Sequence, residues 1–198
     1  MKTHTGILIL AASVLTPLSA TAFPIAIGGE GAAVLVAGSD PVIATYQGNS
    51  AAYSNDLYLA LLSDGTPGID GDNTNDLFIF NNHSSTVGSS VNLGAFPIGI
   101  ELVFRLHVND TGFDYFSGLA SRNPDGLPHV RVQGDWMPNE TLVSFEDLLN
   151  LPEYPEGFND LSFSFTNTST PNPTPEPGTF ALLGAAVLGI AVRRRRRS

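Results

Sequence analysis

Carboxylates are the side chains here whose types and spacing could do chemistry. One acidic loop, "DGTPGIDGDNTND" (64–76), places Asp70, Asp72, Asn75 and Asp76 close together after Asp64. A second, "FEDLLNLPEYPEGFND" (145–160), offers Glu146, Asp147, Glu153, Glu156, Asn159 and Asp160. Calcium takes about six to eight hard oxygen ligands from carboxylates, amides and backbone carbonyls, and a D-x-D-x-x-N-D run can supply several from one turn. The EF-hand pattern is absent, because neither its glycine nor its closing glutamate falls in register. The competing reading is structural. Acidic loops are commonly solvated, and Asp147 and Asp160 could hydrogen-bond turn amides and hold two strand ends together.

Catalytic groups are harder to find. The histidines of the body are His83, His107 and His129, and none lies in a G-x-S-x-G or H-E-x-x-H motif. His107 and His129 fall on the polar faces of alternating strands, where a surface histidine is the ordinary outcome. A meeting across two strands is the alternative. Glycosidases hold two carboxyls about 5–10 Å apart across a cleft. With 18 acids between Phe23 and Thr170, some pair satisfies any distance, so the criterion discriminates nothing. Trp136, Tyr115 and Tyr154 are candidate exposed rings for stacking on sugars, although Trp136 suits a core equally well. No residue is assigned as catalytic, and the chain is expected not to be an enzyme.

The elements that must position these groups read as short strands. "AAVLVAG" (32–38), "DLYLALL" (56–62) and "DLFIF" (76–80) are apolar runs. "ELVFRLHV" (101–108), "HVRVQ" (129–133) and "LSFSF" (161–165) alternate apolar with polar residues. Glycine, proline, asparagine and aspartate fill the gaps. "SFEDLLN" (144–150) is the one short helix candidate, with Ser144 as its cap. An Asn-Asp-Leu motif opens three strand-like runs, at 55, 75 and 159, at a spacing too irregular for a repeat array. Many short strands between turn signals predict an all-β fold, a single β-sandwich-like domain over residues 23–167.

Charge narrows the partners. Between Phe23 and Thr170 stand three arginines (Arg105, Arg122 and Arg131) against 18 acids, a net charge of 3 − 18 = −15. Such a body repels phosphate backbones, so nucleic acid is excluded as a partner, whereas cations, basic surfaces and neutral polymers remain. Cysteine is absent, so a core or a bound ion must hold the fold.

Both ends read as addresses. Residues 1–22 have Lys2, an apolar stretch from Ile7 to Leu15, a breaker at Pro17, and small residues at Ala20 and Ala22. This is the signal-peptide pattern, with cleavage expected between Ala22 and Phe23 by the export machinery. At the other end, Pro175, Glu176 and Pro177 follow a Thr/Pro/Asn linker (168–177), and a C-terminal segment (178–198) contains an uncharged run from Gly178 to Val192. As a helix that run is about 22 Å long, against a hydrocarbon core of about 30 Å. Snorkelling arginines would complete the span. The cluster Arg193, Arg194, Arg195, Arg196 and Arg197 would stay cytoplasmic.

This order of parts resembles the PEP-CTERM sorting signal of Gram-negative bacteria. The resemblance implies a precursor held transiently in the inner membrane by its C-terminal helix. It implies cleavage near the motif by exosortase, with Pro175, Glu176 and Pro177 as recognition residues. The mature form is then expected at the cell surface or in the exopolysaccharide of a biofilm matrix.

The second half carries another resemblance. "SRNPDGLPHVRV" (121–132), "VSFEDLLN" (143–150) and "FNDLSFSFTN" (158–167) are similar to a bacterial surface domain of unknown function, over roughly 98–167. That likeness implies a β-sandwich and calcium ligands at Glu146, Asp147, Asn159 and Asp160. "LNLPEYPEG" stands where that family has an Asp/Gly-rich turn, so fewer carboxylates are at hand. Together these readings give an exported structural or adhesive protein, with calcium as the candidate ion at 146–160 or 70–76. Binding to exopolysaccharide is the alternative function, and a glycan-active enzyme the third.

Overall fold

Strict alternation in the sequence becomes a two-faced sheet, and most of this chain follows that rule. The computed structural model describes residues 22–150 and 157–171. They form twelve strands and a single 3-10 turn at Ala120–Arg122. The first eight strands are β1 (Val34–Val36), β2 (Val42–Asn49), β3 (Asn55–Leu59), β4 (Leu77–Asn81), β5 (Ser90–Gly94), β6 (Glu101–Leu102), β7 (Phe104–Val108) and β8 (Asp114–Phe116). The last four are β9 (Val130–Met137), β10 (Glu140–Phe145), β11 (Leu161–Thr166) and β12 (Thr168–Ser169).

All pairings are antiparallel, in three sheets. The five-stranded sheet runs β5-β2-β11-β10-β9 and the four-stranded sheet β4-β3-β7-β8. Their apolar faces meet in one core. Phe104 of β7 stacks on Phe165 of β11 with ring centroids 4.0 Å apart, and Phe80 of β4 stacks on Phe163 at 5.9 Å. Tyr46, Leu57, Leu106, Val143 and Phe145 complete the same cluster.

The expected all-β class is present, but a two-sheet sandwich is not the whole description. A third sheet, β12-β1-β6, arises because two long strands change partners. The run 101–108 breaks at Val103: Glu101–Leu102 pairs with β1, and Phe104–Val108 pairs with β3. The run after Leu161 breaks at Asn167, whose φ of 55° is left-handed. Asparagine tolerates that region better than most side chains. Here its amide also donates to Gly38 O at 3.0 Å. Thr168–Ser169 then pairs with β1, so the linker expected from residue 168 begins beyond β12.

The helix expected at 144–150 is also absent. Ser144 and Phe145 close β10, and residues 146–150 form a loop and turn. Ser144 Oγ accepts the Ala26 N–H at 2.8 Å from the N-terminal segment, rather than capping a helix. The expected signal peptide up to residue 21, most of the expected linker with its Pro-Glu-Pro motif, and the C-terminal segment lie outside the described residues, as do Glu153, Tyr154 and Glu156. Among the described residues no helix is long and apolar enough to cross a membrane.

Candidate cation site

The register of β10 against its two neighbours builds the site. Beyond Phe145 the ladder continues for one step: Glu146 N–H donates to His129 O at 3.0 Å, and Asp160 N–H donates to Phe145 O at 3.1 Å. Glu146 and Asp147 thus leave the end of β10 beside Asn159 and Asp160, which enter β11. Carboxylate oxygens of Glu146, Asp147 and Asp160 all lie within 4.8 Å of one another. Their exposures are 0%, 3% and 5%. Asn159, the fourth expected ligand, is buried in the same bend.

Turn amides take part of this oxygen set. Asp160 Oδ2 accepts Asp147 N–H at 2.7 Å, and Glu146 Oε2 accepts Phe158 N–H at 3.1 Å. Asn55 of β3, in the facing sheet, donates from Nδ2 to Asp147 Oδ2 at 2.7 Å. The first and third Asn-Asp-Leu copies therefore converge on one place. Sequence spacing concealed this, because the two copies are about a hundred positions apart and meet only when the sheets face each other.

Amides do not satisfy the whole set. Glu146 Oε1 is buried without a well-aligned donor among the described residues, and the Glu146 carboxyl otherwise faces Leu148 N–H and the Asp160 carboxyl, with which it can share a proton. Asn55 Oδ1 and Tyr115 Oη are among the other buried oxygens without a hydrogen-bond partner among the described residues. Burial raises the Glu146 carboxyl, and it pushes Asp160 up to about 7, with the Glu146 charge adding to the effect. Burial likewise lifts the Tyr115 hydroxyl to about 12, reinforced by Asp125, Asp147 and Glu146. Concentrated negative charge in a dry place disfavours its own ionisation unless a cation enters. The donors are all oxygen, which suits a hard cation. Ligand bonds of about 2.3–2.6 Å to calcium tolerate oxygens about 5 Å apart across the ion.

Beside the carboxylates stands a second buried network. His129 stacks on Tyr115 with ring centroids 3.8 Å apart. Its Nδ1 faces Glu146 O and its Nε2 faces Asp125 Oδ2, each at 3.0 Å. Burial alone would raise Asp125, but amide hydrogens of Asn150 and Leu127, together with His129, hold its carboxyl below the usual range. Two expectations are corrected here. His129 is fully buried rather than on a polar face, and Tyr115 is core rather than an exposed ring. Alternation assigned the side of the sheet, but the covering came from β8 and the 123–128 loop. His107 is half-buried and pairs instead with Asp114 at 3.0 Å.

The first acidic loop is organised differently. Asp70 Oδ1 accepts Asp72 N–H at 2.9 Å, and Asp72 Oδ1 accepts Thr74 N–H at 3.0 Å and its hydroxyl at 2.6 Å. Bonds from Thr74 hold the exposed Asp72 carboxyl below its ordinary value. Asp76 turns away from both. Its Oδ2 pairs with Arg105 Nε at 2.6 Å and its Oδ1 accepts Leu61 N–H at 2.9 Å. Asp70, Asp72 and Asp76 are therefore not gathered into one carboxylate cluster, whereas Glu146, Asp147 and Asp160 are.

Fold and site define a class: an antiparallel all-β domain with a buried nest of hard oxygen atoms at one strand junction. The C-terminus adds an address. Residues 173–197 match the family model of the PEP-CTERM protein-sorting motif. The chain carries this sorting signal, which implies an exported protein processed by exosortase, a membrane protein. Comparison with curated proteins and with solved structures returned no match.

Proposed function

We propose that this protein is a non-enzymatic component of the cell surface or extracellular matrix of a Gram-negative bacterium, whose β-domain is closed by calcium held at Glu146, Asp147 and Asp160. One observation carries the reading: the carboxylates of Glu146, Asp147 and Asp160 are buried together within 4.8 Å of one another at one strand junction. None of the ion pairs among the described residues reaches Glu146 or Asp160. Asn159 is a further oxygen donor in the same bend, and Asn55 orients Asp147 through its Nδ2–H. Bound calcium would supply the missing positive charge and tie the end of β10 to the start of β11. Closure from solvent also speaks against catalysis at this cluster, since a polymer cannot reach carboxyls so deeply buried.

The test is a thermal melt of the purified full-length chain in millimolar calcium and then in chelator. At 100 times the dissociation constant, binding to the native state stabilises by about 2.7 kcal/mol. For a chain of this size that is about 5–10 °C. The shift is expected to vanish in Asp147→Asn/Asp160→Asn. Equal melting temperatures with and without calcium would leave the cluster as a hydrogen-bonded turn and end the calcium reading.

A further inference from the structure

We propose that the outer face of the four-stranded sheet binds a neutral polysaccharide, with Tyr58 and Phe78 as the stacking surface. Alternation turns Leu57, Leu59, Phe104, Leu106 and Tyr115 into the core. It leaves two rows on the opposite face, fixed by register. Phe78, Tyr58, Arg105 and Phe116 are successive cross-strand partners over β4, β3, β7 and β8. Asn81, Asp56, His107 and Asp114 form the parallel row. Each row crosses three strand gaps, about 14 Å, and the rows lie about 7 Å apart. Arg105 is 4% exposed beneath the loop that carries Asp76, so the open aromatic part of the first row is Phe78 with Tyr58, and the second row is hydrogen-bonding.

A pyranose ring has the same division, with an apolar C–H face and a polar rim of hydroxyls. Phe78 is 49% exposed, and its ring meets Tyr58 edge-on at 71° with centroids 5.5 Å apart. The two rings form a corner in which a sugar can stack on one and abut the other. The Arg105 guanidinium covers one face of the Tyr58 ring at 4.2 Å from its centroid, which fixes that ring and leaves the 49%-exposed Phe78 as the more open stacking face. Arg105 is itself clamped by Asp76 at 2.6 Å and Asp114 at 2.7 Å. A surface held this rigidly loses little side-chain freedom on binding. Alongside it, Asp56 and Asn81, joined at 2.7 Å, and His107 offer acceptors and donors to hydroxyls.

Charge selects among polymers. Asp56, Asp76 and Asp114 against Arg105 leave this face at 1 − 3 = −2 with His107 neutral, on a body already at −15. Uronic-acid and phosphate polymers are repelled, and neutral chains are not. Protein interfaces place aromatic rings in a charge-depleted centre. Here a charged row runs directly beside the rings, which favours a polyhydroxyl partner.

Affinity electrophoresis of the full-length chain in constant calcium tests this. Gels contain hydroxyethylcellulose, dextran, galactomannan or xylan as neutral probes, and alginate as the anionic one. Retardation is expected in at least one neutral gel and none in alginate. Phe78→Ala should weaken it about tenfold, the equivalent of one lost stacking contact, with an unchanged melting temperature. Tyr58→Phe, which keeps the ring, should retain it. Migration unaffected by every neutral polymer overturns the proposal, as does retardation that survives Phe78→Ala and Tyr58→Ala together. Retention in alginate alone would do the same. Since calcium is held constant and folding is checked by melting, a negative result here leaves the cation site standing.

Discussion

Asp160 is where the chemistry of single residues becomes visible. Its carboxyl is pushed up to about 7 by burial first and by Glu146 second, from an ordinary value of 3.8. A folded-state value above the unfolded one means that the native state holds its proton over the interval between them. Without calcium, stability should therefore be greatest below about pH 4 on account of this group, fall as pH rises toward 7, and level off above it. Glu146 contributes with the same sign. Melting temperatures measured in chelator from pH 4 to 8 should show that decline, and Asp160→Asn should flatten it. Added calcium should reverse the trend, because the ion prefers the ionised carboxyls. A profile that rises through this window in chelator would contradict the assignment of Asp160 as the raised group.

At the scale of elements, the strand breaks matter more than the strands. Residues 101–108 and 161–169 each serve two sheets, and one residue makes the change in each: Val103 and Asn167. Asn167 combines a left-handed φ of 55° with side-chain hydrogen bonds to Gly38 O and Asp40 O. Asn167→Ala should cost about 1–2 kcal/mol, mainly from backbone strain, because the Gly38 and Asp40 carbonyls it releases lie where water can reach them, read as a lower denaturation midpoint at unchanged m-value. Asn167→Gly should cost less, since glycine keeps the conformation and loses only the bonds. The alternating run 161–165 was legible because its phenylalanines and serines keep a period of two. The partner change after Thr166 was not, because nothing in "TNTST" distinguishes a corner from a linker. The helix expected over 144–150 failed for a related reason. "EDLLN" has ordinary helical propensity, but pairing of Thr141–Phe145 with β11 claimed the segment's first turn.

For the whole molecule, function joins two parts that follow different rules. The sorting signal works as linear sequence, and removing residues 173–197 should abolish membrane processing, seen as loss of the shorter mature band on a gel. Survival of that band would place the processing determinant elsewhere. Such a signal is read directly from the chain because a protease and a membrane recognise order, spacing and hydropathy, which need no tertiary contact. The all-β class was legible for a similar reason, since local alternation suffices to mark strands. The buried acidic cluster was partly legible. Glu146, Asp147, Asn159 and Asp160 are near one another in sequence and joined by a single strand pairing. What the sequence could not determine was which acidic loop gathers its oxygens. Asp70, Asp72 and Asp76 look as dense on paper, yet local threonine and backbone amides satisfy the first two and Arg105 takes the third. Nor could it place Asn55 at the cluster, bury His129 under Tyr115, or align Phe78 with Tyr58 and Arg105. Those depend on register and on which faces meet, and only the packing of one sheet against another decides them.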